Sequence, residues 1–182
     1  GTAPQSAFLK PTKPLENVGR DLLCVQRLSA RGFLYVHSII DFATGFYEPS
    51  LLKIKSEAQQ SFEDWLRRAE NLHYPHKLVA QTTDGGGEFN SKMAEEFNRQ
   101  NGIEHMVSSA YTHYHNSRTE RVHDTCFTSA QAMRHKSGLP DTLWCFAYMY
   151  AAFVYNRLPP MEALRDFQRE VGQNPKGKHL RP

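Results

Sequence analysis

Three acidic residues stand at points in the sequence where neighbouring elements could bring them together. Asp21 opens a short apolar segment, and Asp84 directly follows another one and precedes three glycines. Glu120 lies in the first turn of a long predicted helix. A carboxylate at the end of a buried strand lies at the rim of a sheet, where ligands commonly bind. The glycines after Asp84 let the backbone turn sharply and leave room for a bulky substrate.

If the strands that carry Asp21 and Asp84 are neighbours, the two carboxylates repel, and a divalent cation is the common remedy. Glu120 would complete an oxygen-only set that suits Mg²⁺ or Mn²⁺. Two such ions about 3.5–4 Å apart stabilise the attacking and leaving oxygens of a phosphoryl transfer. Taken singly, the acids have plainer explanations: a turn former, a helix-terminal charge and an edge charge. Their order along the chain favours the metal site.

The elements that must position these acids follow from the hydrophobic periodicity. Strands are predicted over residues 21–25, 33–40, 46–52, 77–83 and 103–107, and the first three form an antiparallel set. Helices are predicted from Ser56 to about residue 71, from residue 90 or 91 to Gly102, and over residues 118–135 and 142–156. The resulting order β-β-β-α-β-α-β-α-α predicts an α/β fold, a mixed five-stranded sheet with helices on both faces.

The composition is that of one globular domain. The chain has 182 residues, of which 40% are hydrophobic and 23% charged, with a net charge of +3 that permits a nucleic-acid partner without demanding one. Residues 1–18 are interpreted as an N-terminal arm, 19–159 as the core and 160–182 as a tail. No apolar run is long enough to cross a membrane, and no signal peptide is indicated. Three cysteines without a CxxC pair favour a reducing compartment.

Motifs along nearly the whole chain resemble the integrase catalytic core of copia-type LTR retrotransposons, within the retroviral integrase superfamily. The matching segments are residues 12–16 (TKPLE), 21–22 (DL), 40–42 (IDF), 83–89 (TDGGGEF), 102–103 (GI), 116–121 (NSRTER), 139–140 (LP), 143–144 (LW), Ala147 and 156–159 (NRLP). The 35 residues between Asp84 and Glu120 match the D,D(35)E spacing of that family.

The resemblance implies an RNase H-like fold and a metal-dependent polynucleotidyl transferase. Asp21, Asp84 and Glu120 would be both the catalytic residues and the ligands of Mg²⁺ or Mn²⁺, with two ions bound. The implied reactions are 3′-end processing of retrotransposon DNA and its strand transfer into target DNA. Asn116, Arg118 and Arg121 would contact nucleic acid. The implied context is a homo-oligomer bound to DNA in the nucleus, assembled in the cytoplasm from a polyprotein and not associated with a membrane.

Several positions depart from the family pattern and keep two other functions open. Cys24-Val25 replaces Gly-Pro, Gly85 and Ser117 replace Asn and Gly, and His123-Asp124 replaces Asn-Arg. Asp124 would repel a phosphate backbone from the helix that carries Glu120. A catalytically decayed binding or scaffolding module is therefore one alternative. A hydrolytic nuclease of RNase H type is another.

Two further clusters have both functional and structural explanations. His113, His115, His123 and Cys126 could bind zinc, but their spacing matches no closed four-ligand pattern, which favours a polar loop. The basic residues Arg118, Arg121, Arg134, His135 and Lys136 could bind phosphates or form an ordinary solvated face. The aromatic residues within 142–156 are predicted to form core or a subunit contact.

Overall fold

The computed structural model describes residues 11–107 and 113–158, with the side chains of 113–117 excepted. The predicted tail and most of the predicted arm lie outside these residues. The strands are β1 (Asn17–Cys24), β2 (Tyr35–Asp41), β3 (Tyr47–Leu52), β4 (Ala80–Thr83) and β5 (Glu104–Val107). The helices are α1 (Glu57–Leu72), α2 (Lys92–Asn101), α3 (His113–Ser137) and α4 (Trp144–Tyr155), the last preceded by a 3₁₀ turn over Asp141–Leu143.

The five strands form one mixed sheet in the order β3-β2-β1-β4-β5. The pairs β1–β2 and β2–β3 are antiparallel, whereas β1–β4 and β4–β5 are parallel. The parallel pairs need crossover connections, which α1 and α2 provide. The predicted element order and the mixed sheet are both confirmed.

Alternation along β1 separates the hydrophobic core into two layers, because successive side chains of a strand point to opposite faces. Val18 packs with α1 residues such as Phe62 and Trp65 on one face of the sheet. Leu23 packs on the other face against the cluster formed with α3 and α4, which includes Val122 and Tyr148. Helices therefore cover both faces of the sheet, as predicted.

Several element boundaries differ from the prediction. β1 begins at Asn17 rather than Asp21, because the Leu15 N–H donates to Asp41 Oδ2 at 2.6 Å and the Phe42 N–H donates to the Asn17 carbonyl. These partners are distant in sequence, and the prolines of the N-terminal segment predicted an extended arm there instead of a strand. Helix α3 begins at His113 rather than Arg118, so Glu120 lies beyond the first turn.

Helices α1 and α2 differ in how their first turns are capped. Ser91 caps α2 by accepting from the Ala94 N–H, and Gly102 ends that helix in the left-handed conformation. Ser56 makes no capping bond at α1. The carboxylate of Glu57 accepts from the Lys53 N–H instead, at 2.7 Å.

Helix α4 buries only one of its faces. Trp144, Cys145, Tyr148, Ala151 and Ala152 are buried. Phe146, Met149, Tyr150 and Phe153 are exposed, so this face is not core and the predicted alternative, a subunit contact, stays open for it. None of the helices among the described residues is long and apolar enough to pass through a membrane.

Candidate active site

Parallel pairing of β1 with β4 brings two of the predicted acids to one level of the sheet. Asn17, Val18 and Gly19 pair with Ala80, Gln81 and Thr82 in turn. Continuing this register by two residues sets Asp84 level with Asp21, immediately after the end of β4. Asp21 lies in the middle of β1, so the prediction that it opens the strand is wrong. The neighbouring strands that the metal-site prediction required are present.

Helix α3 carries Glu120 onto the same face of the sheet. A Cβ at Gly19 would lie closer than 2.5 Å to Thr119 Oγ1, so α3 rests directly on β1 at this glycine. Gly19 and Asp21 are two residues apart and share a face. Arg118 donates to the carbonyl of Phe42, which follows β2. At 100° per residue, Arg118 and Glu120 flank the buried Thr119 on opposite sides of the helix. Glu120 therefore lies on the side of α3 away from Arg118 and Phe42.

The three carboxylates have different surroundings. The side chain of Asp21 is 25% exposed, and its Oδ2 lies 3.4 Å from Nδ1 of His123. Its Oδ1 accepts from the Leu22 N–H at 2.8 Å. Asp84 is exposed and accepts from the Gly86 N–H at 2.9 Å, and Glu120 is exposed. Within residues 11–107 and 118–158, no three His, Cys, Asp or Glu side chains lie close enough to hold a metal ion.

The residues nevertheless fit a divalent cation by donor chemistry. All three offer carboxylate oxygens, the ligands that Mg²⁺ and Mn²⁺ prefer. Gly85 has φ +81° and begins a turn that leaves Asp84 at the open end of β4. Such a turn favours glycine, because other residues rarely adopt a positive φ.

A buried aromatic side chain, Phe89, follows the glycine-rich turn at residues 84–87 and fixes its position. Phe89 is 1% exposed, and its ring centroid lies 4.9 Å from the guanidinium carbon of Arg20. Asn90 Nδ2 donates to the Gly85 carbonyl at 2.8 Å. Through Phe89, the turn that carries Asp84 therefore packs against Arg20, the residue that precedes Asp21 in β1.

Sequence reasoning did not find Arg20, which is fully buried on the sheet face opposite Asp21. Its guanidinium donates to His37 Nε2 at 3.2 Å and to Gln81 Oε1 at 2.6 Å, and it covers the Phe62 ring at 3.8 Å. Burial lowers the pKa of Arg20 to about 9, although the charge of Glu63 acts in the opposite direction. Alternation along β1 was the signal that could have indicated that Arg20 and Asp21 face opposite ways.

A series of buried polar groups connects the core layer beneath α3 and α4 to Asp21. The hydroxyls of Tyr148 and Tyr47 lie 2.7 Å apart, and Tyr47 lies 2.7 Å from Ser38 Oγ. Ser38 in turn lies 3.4 Å from Nδ1 of His123, which contacts Asp21. Burial raises the pKa of both tyrosines, so these hydroxyls stay protonated. These contacts hold His123 beside the carboxylate of Asp21.

The possible zinc cluster receives no support from the described residues. Cys126 is buried, and burial raises the pKa of its thiol to about 12, which disfavours the thiolate that a metal needs. His123 is engaged with Asp21. The side chains of His113 and His115 lie outside the described residues.

The three predicted DNA-contacting residues differ in their settings. Arg118 is half-buried and holds the Phe42 carbonyl, which gives it a structural role. Arg121 is exposed on α3, three residues before Asp124, which is also exposed. The side chain of Asn116 lies outside the described residues. Contact of these residues with nucleic acid stays a prediction.

Comparison with solved structures identifies the class of fold. The chain is similar to a chain of the simian T-cell lymphotropic virus intasome in complex with PP2A regulatory subunit B56 gamma, with TM-score 0.65 and 17% identity over 83% of this chain and 51% of that one. It is also similar to the HTLV-2 integrase catalytic core domain in complex with magnesium, with TM-score 0.59 and 18% identity over 81% and 88% of the two chains. The chain therefore has the RNase H-like fold of integrase catalytic cores, as the sequence predicted.

Comparison with curated proteins finds similarity to polyproteins of retrotransposons. The retrovirus-related Pol polyproteins from transposons RE1 and RE2 of Arabidopsis thaliana are each 29% identical, over 95% and 97% of this chain. The corresponding polyprotein from transposon TNT 1-94 of Nicotiana tabacum is 28% identical over 80% of it. No family model matches the chain. The predicted resemblance to copia-type elements is confirmed, and the chain spans only 11–12% of the length of these relatives.

Proposed function

We propose that this chain is the catalytic core of a retrotransposon integrase, a metal-dependent polynucleotidyl transferase that processes the 3′ ends of element DNA and joins them to target DNA. The parallel register that sets Asp84 level with Asp21 carries the proposal, because these acids are 63 positions apart in the sequence. Helix α3 adds Glu120 on the same face. The integrase-core fold and the Pol-polyprotein relatives support this function.

Asp21, Asp84 and Glu120 would hold Mg²⁺ or Mn²⁺, and we propose two ions. The magnesium complex of the HTLV-2 core supports a divalent cation. The bound metal would activate a water or hydroxyl nucleophile and stabilise the leaving oxygen. The protein's contribution is to hold three carboxylates on two rigid strands and a docked helix. Because the described residues do not already gather these oxygens into one set, metal binding would require the three carboxylates to move closer together.

The partners proposed for the core are DNA and further copies of the chain. Asn116, Arg118 and Arg121 are the residues proposed to contact the DNA backbone, with the acidic Asp124 opposing this contact. The exposed residues Phe146, Met149, Tyr150 and Phe153 form one stripe on α4, which is the surface we propose for self-association. The intasome and the dimeric and trimeric integrase cores among the structural neighbours support both partners. We further propose that the protein acts in the nucleus after cytoplasmic assembly within a polyprotein.

Metal-dependent stability and DNA joining together test this function. At a tenfold excess of Mn²⁺ over its Kd, ligand binding should stabilise the fold by about 1.4 kcal/mol. Asp84→Asn should remove this stabilisation and abolish strand transfer, while keeping the acceptor for the Gly86 N–H. Asp64→Asn, on the exposed surface of α1, is the matched control and should change neither. Joining of DNA ends by Asp84→Asn at the parent rate would refute the assignment.

The absence of a gathered ligand set among the described residues favours one alternative, a non-catalytic scaffold that keeps the fold. The contact between His123 and Asp21 and the exposed Asp124 agree with it. A scaffold predicts no thermal shift with millimolar Mg²⁺ or Mn²⁺ and no cleaved or joined DNA. A hydrolytic nuclease would give the shift and cut strands, but no joined products.

A further inference from the structure

A cavity of about 340 Å³ lies between α3, the start of α4 and the segment that follows β1. It is separate from the three acids and enters no step of the proposed reaction. Its volume falls within the ~300–1,000 Å³ typical of small-molecule sites. Phe127, Trp144 and Tyr148 contribute aromatic walls, and Arg27, Arg134 and Asp141 contribute charge.

The charged groups of the cavity leave a positive excess. Arg27 contacts Asp141 Oδ2 at 2.6 Å, and Arg134 contacts Asp141 Oδ1 at 3.1 Å, so one carboxylate serves two guanidinium groups. The side chain of Arg134 is only 19% exposed, which limits how much water can screen it. An anion would balance the second guanidinium.

Arg134 also has a donor that the protein does not use. Its two terminal nitrogens donate to the carbonyl and the carboxylate of Asp141. Its Nε is buried and has no hydrogen-bond partner among the described residues. A buried donor without an acceptor costs about 1–3 kcal/mol, so this guanidinium is incompletely paired.

We propose that this cavity binds a small amphipathic carboxylate, whose carboxylate accepts from Arg134 and whose apolar body packs on Trp144 and Phe127. The planar fork of arginine matches a carboxylate, and the aromatic walls favour a ring or a short aliphatic chain. A single negative charge fits the balance of two arginines and one aspartate better than the double charge of a phosphomonoester. This site is independent of the proposed polynucleotidyl transfer.

Trp144 reports on binding directly once the other tryptophan is replaced. The chain has two tryptophans, and Trp65 lies in the core on the opposite face of the sheet. In the full chain with Trp65→Phe, titration with benzoate should change Trp144 fluorescence with a Kd on the order of 1 mM, which is ordinary for a ligand of about nine non-hydrogen atoms. Benzamide has the same shape without the charge and should bind about tenfold more weakly.

Substitution of the arginines completes the test. Arg134→Met should weaken benzoate binding about tenfold, whereas Arg68→Met breaks a surface ion pair with Glu48 and should leave it unchanged. If Arg134→Met does not fold, Arg27→Met replaces it, because the Arg27 side chain is 60% exposed and should tolerate the change. The proposal is overturned if benzoate does not saturate, if benzamide binds equally, if phenyl phosphate binds more tightly, or if loss of the arginine has no effect.

Discussion

Gly19→Ala should move helix α3 away from the sheet and with it Glu120. A Cβ at residue 19 would lie 2.5 Å from Cζ of Phe42 and closer still to Thr119 Oγ1. Real Cβ contacts are longer by about 1 Å, so a neighbour must move. Both neighbours are 1% exposed and cannot swing into solvent. The helix must therefore shift as a body, or the Phe42 ring must leave its rotamer.

The expected cost follows from overpacking. Adding a methyl group to a tightly packed core costs about 1–3 kcal/mol, and two buried contacts at once place this variant near 3 kcal/mol. For a chain of this size, each kcal/mol lowers Tm by about 2–4 °C, so Gly19→Ala should lower it by about 6–12 °C. Gly87→Ala is the matched control, because its Cβ would meet no atom within 4 Å. The control should stay within about 0.5 kcal/mol of the parent.

A double-mutant cycle measured by denaturant unfolding separates this contact from a general effect of alanine. Thr119→Ala alone should cost little, because the buried Thr119 Oγ1 has no hydrogen-bond partner among the described residues. In the Gly19→Ala background it removes the closest clash and should recover about 1–2 kcal/mol. A parent-like Tm for Gly19→Ala, or strict additivity of the two substitutions, would refute the docking of α3 on this glycine.

Three further substitutions test other parts of the structure by their effect on the free energy of unfolding. Burial and Arg20 hold the pKa of His37 well below 6.5, so the unfolded chain takes up a proton there that the folded chain does not. Stability should therefore fall below about pH 6.5, by up to about 1.4 kcal/mol per pH unit, and His37→Gln should flatten this slope between pH 5 and 7.5; an unchanged slope would contradict the buried neutral imidazole. Tyr148→Phe removes the buried hydroxyl pair with Tyr47 and should cost about 1 kcal/mol in urea unfolding, whereas a gain in stability would show that the pair is not formed. Asn156→Ala breaks two bonds to the backbone of Tyr47 and should cost about 2 kcal/mol, against a few tenths for the exposed Asn101→Ala; equal costs would argue against this contact.

The sequence was informative where the cause of a structure is local. The apolar stripe Ala58, Phe62, Trp65, Leu66 and Ala69 predicted the face that α1 buries, although Ala69 is only partly buried. The predicted start of α2 at residue 90 or 91 and its end at Gly102 agree with the caps at Ser91 and Gly102. The position of Asp84 directly after β4 is also local, because an apolar run ends there and glycines follow. The predicted position of Asp84 at the end of a buried strand is therefore present in the structure.

The errors arose where distant contacts decide the structure. β1 begins early because Leu15 and Asn17 bond to the end of β2, which no local pattern could indicate. The burial of Arg20 is unexpected, since arginine is rarely buried unless it is paired with an acid. Its partners His37, Gln81 and the ring of Phe62 come from three different elements. The sequence could not separate the core residues of α4 from its exposed ones, because a helix that is apolar on every side gives no sign of which side faces the sheet.

Strand β3 lies at one edge of the sheet, and the backbone N–H and carbonyl of its first residue, Tyr47, are both hydrogen-bonded. Asn156 accepts from the Tyr47 N–H and donates to its carbonyl, much as a neighbouring strand would. Two residues later Pro49 has no N–H to offer, and the opposite edge, β5, is only four residues long. Both edge strands therefore disfavour pairing with a strand of another chain, which reduces the tendency to form amyloid-like sheets.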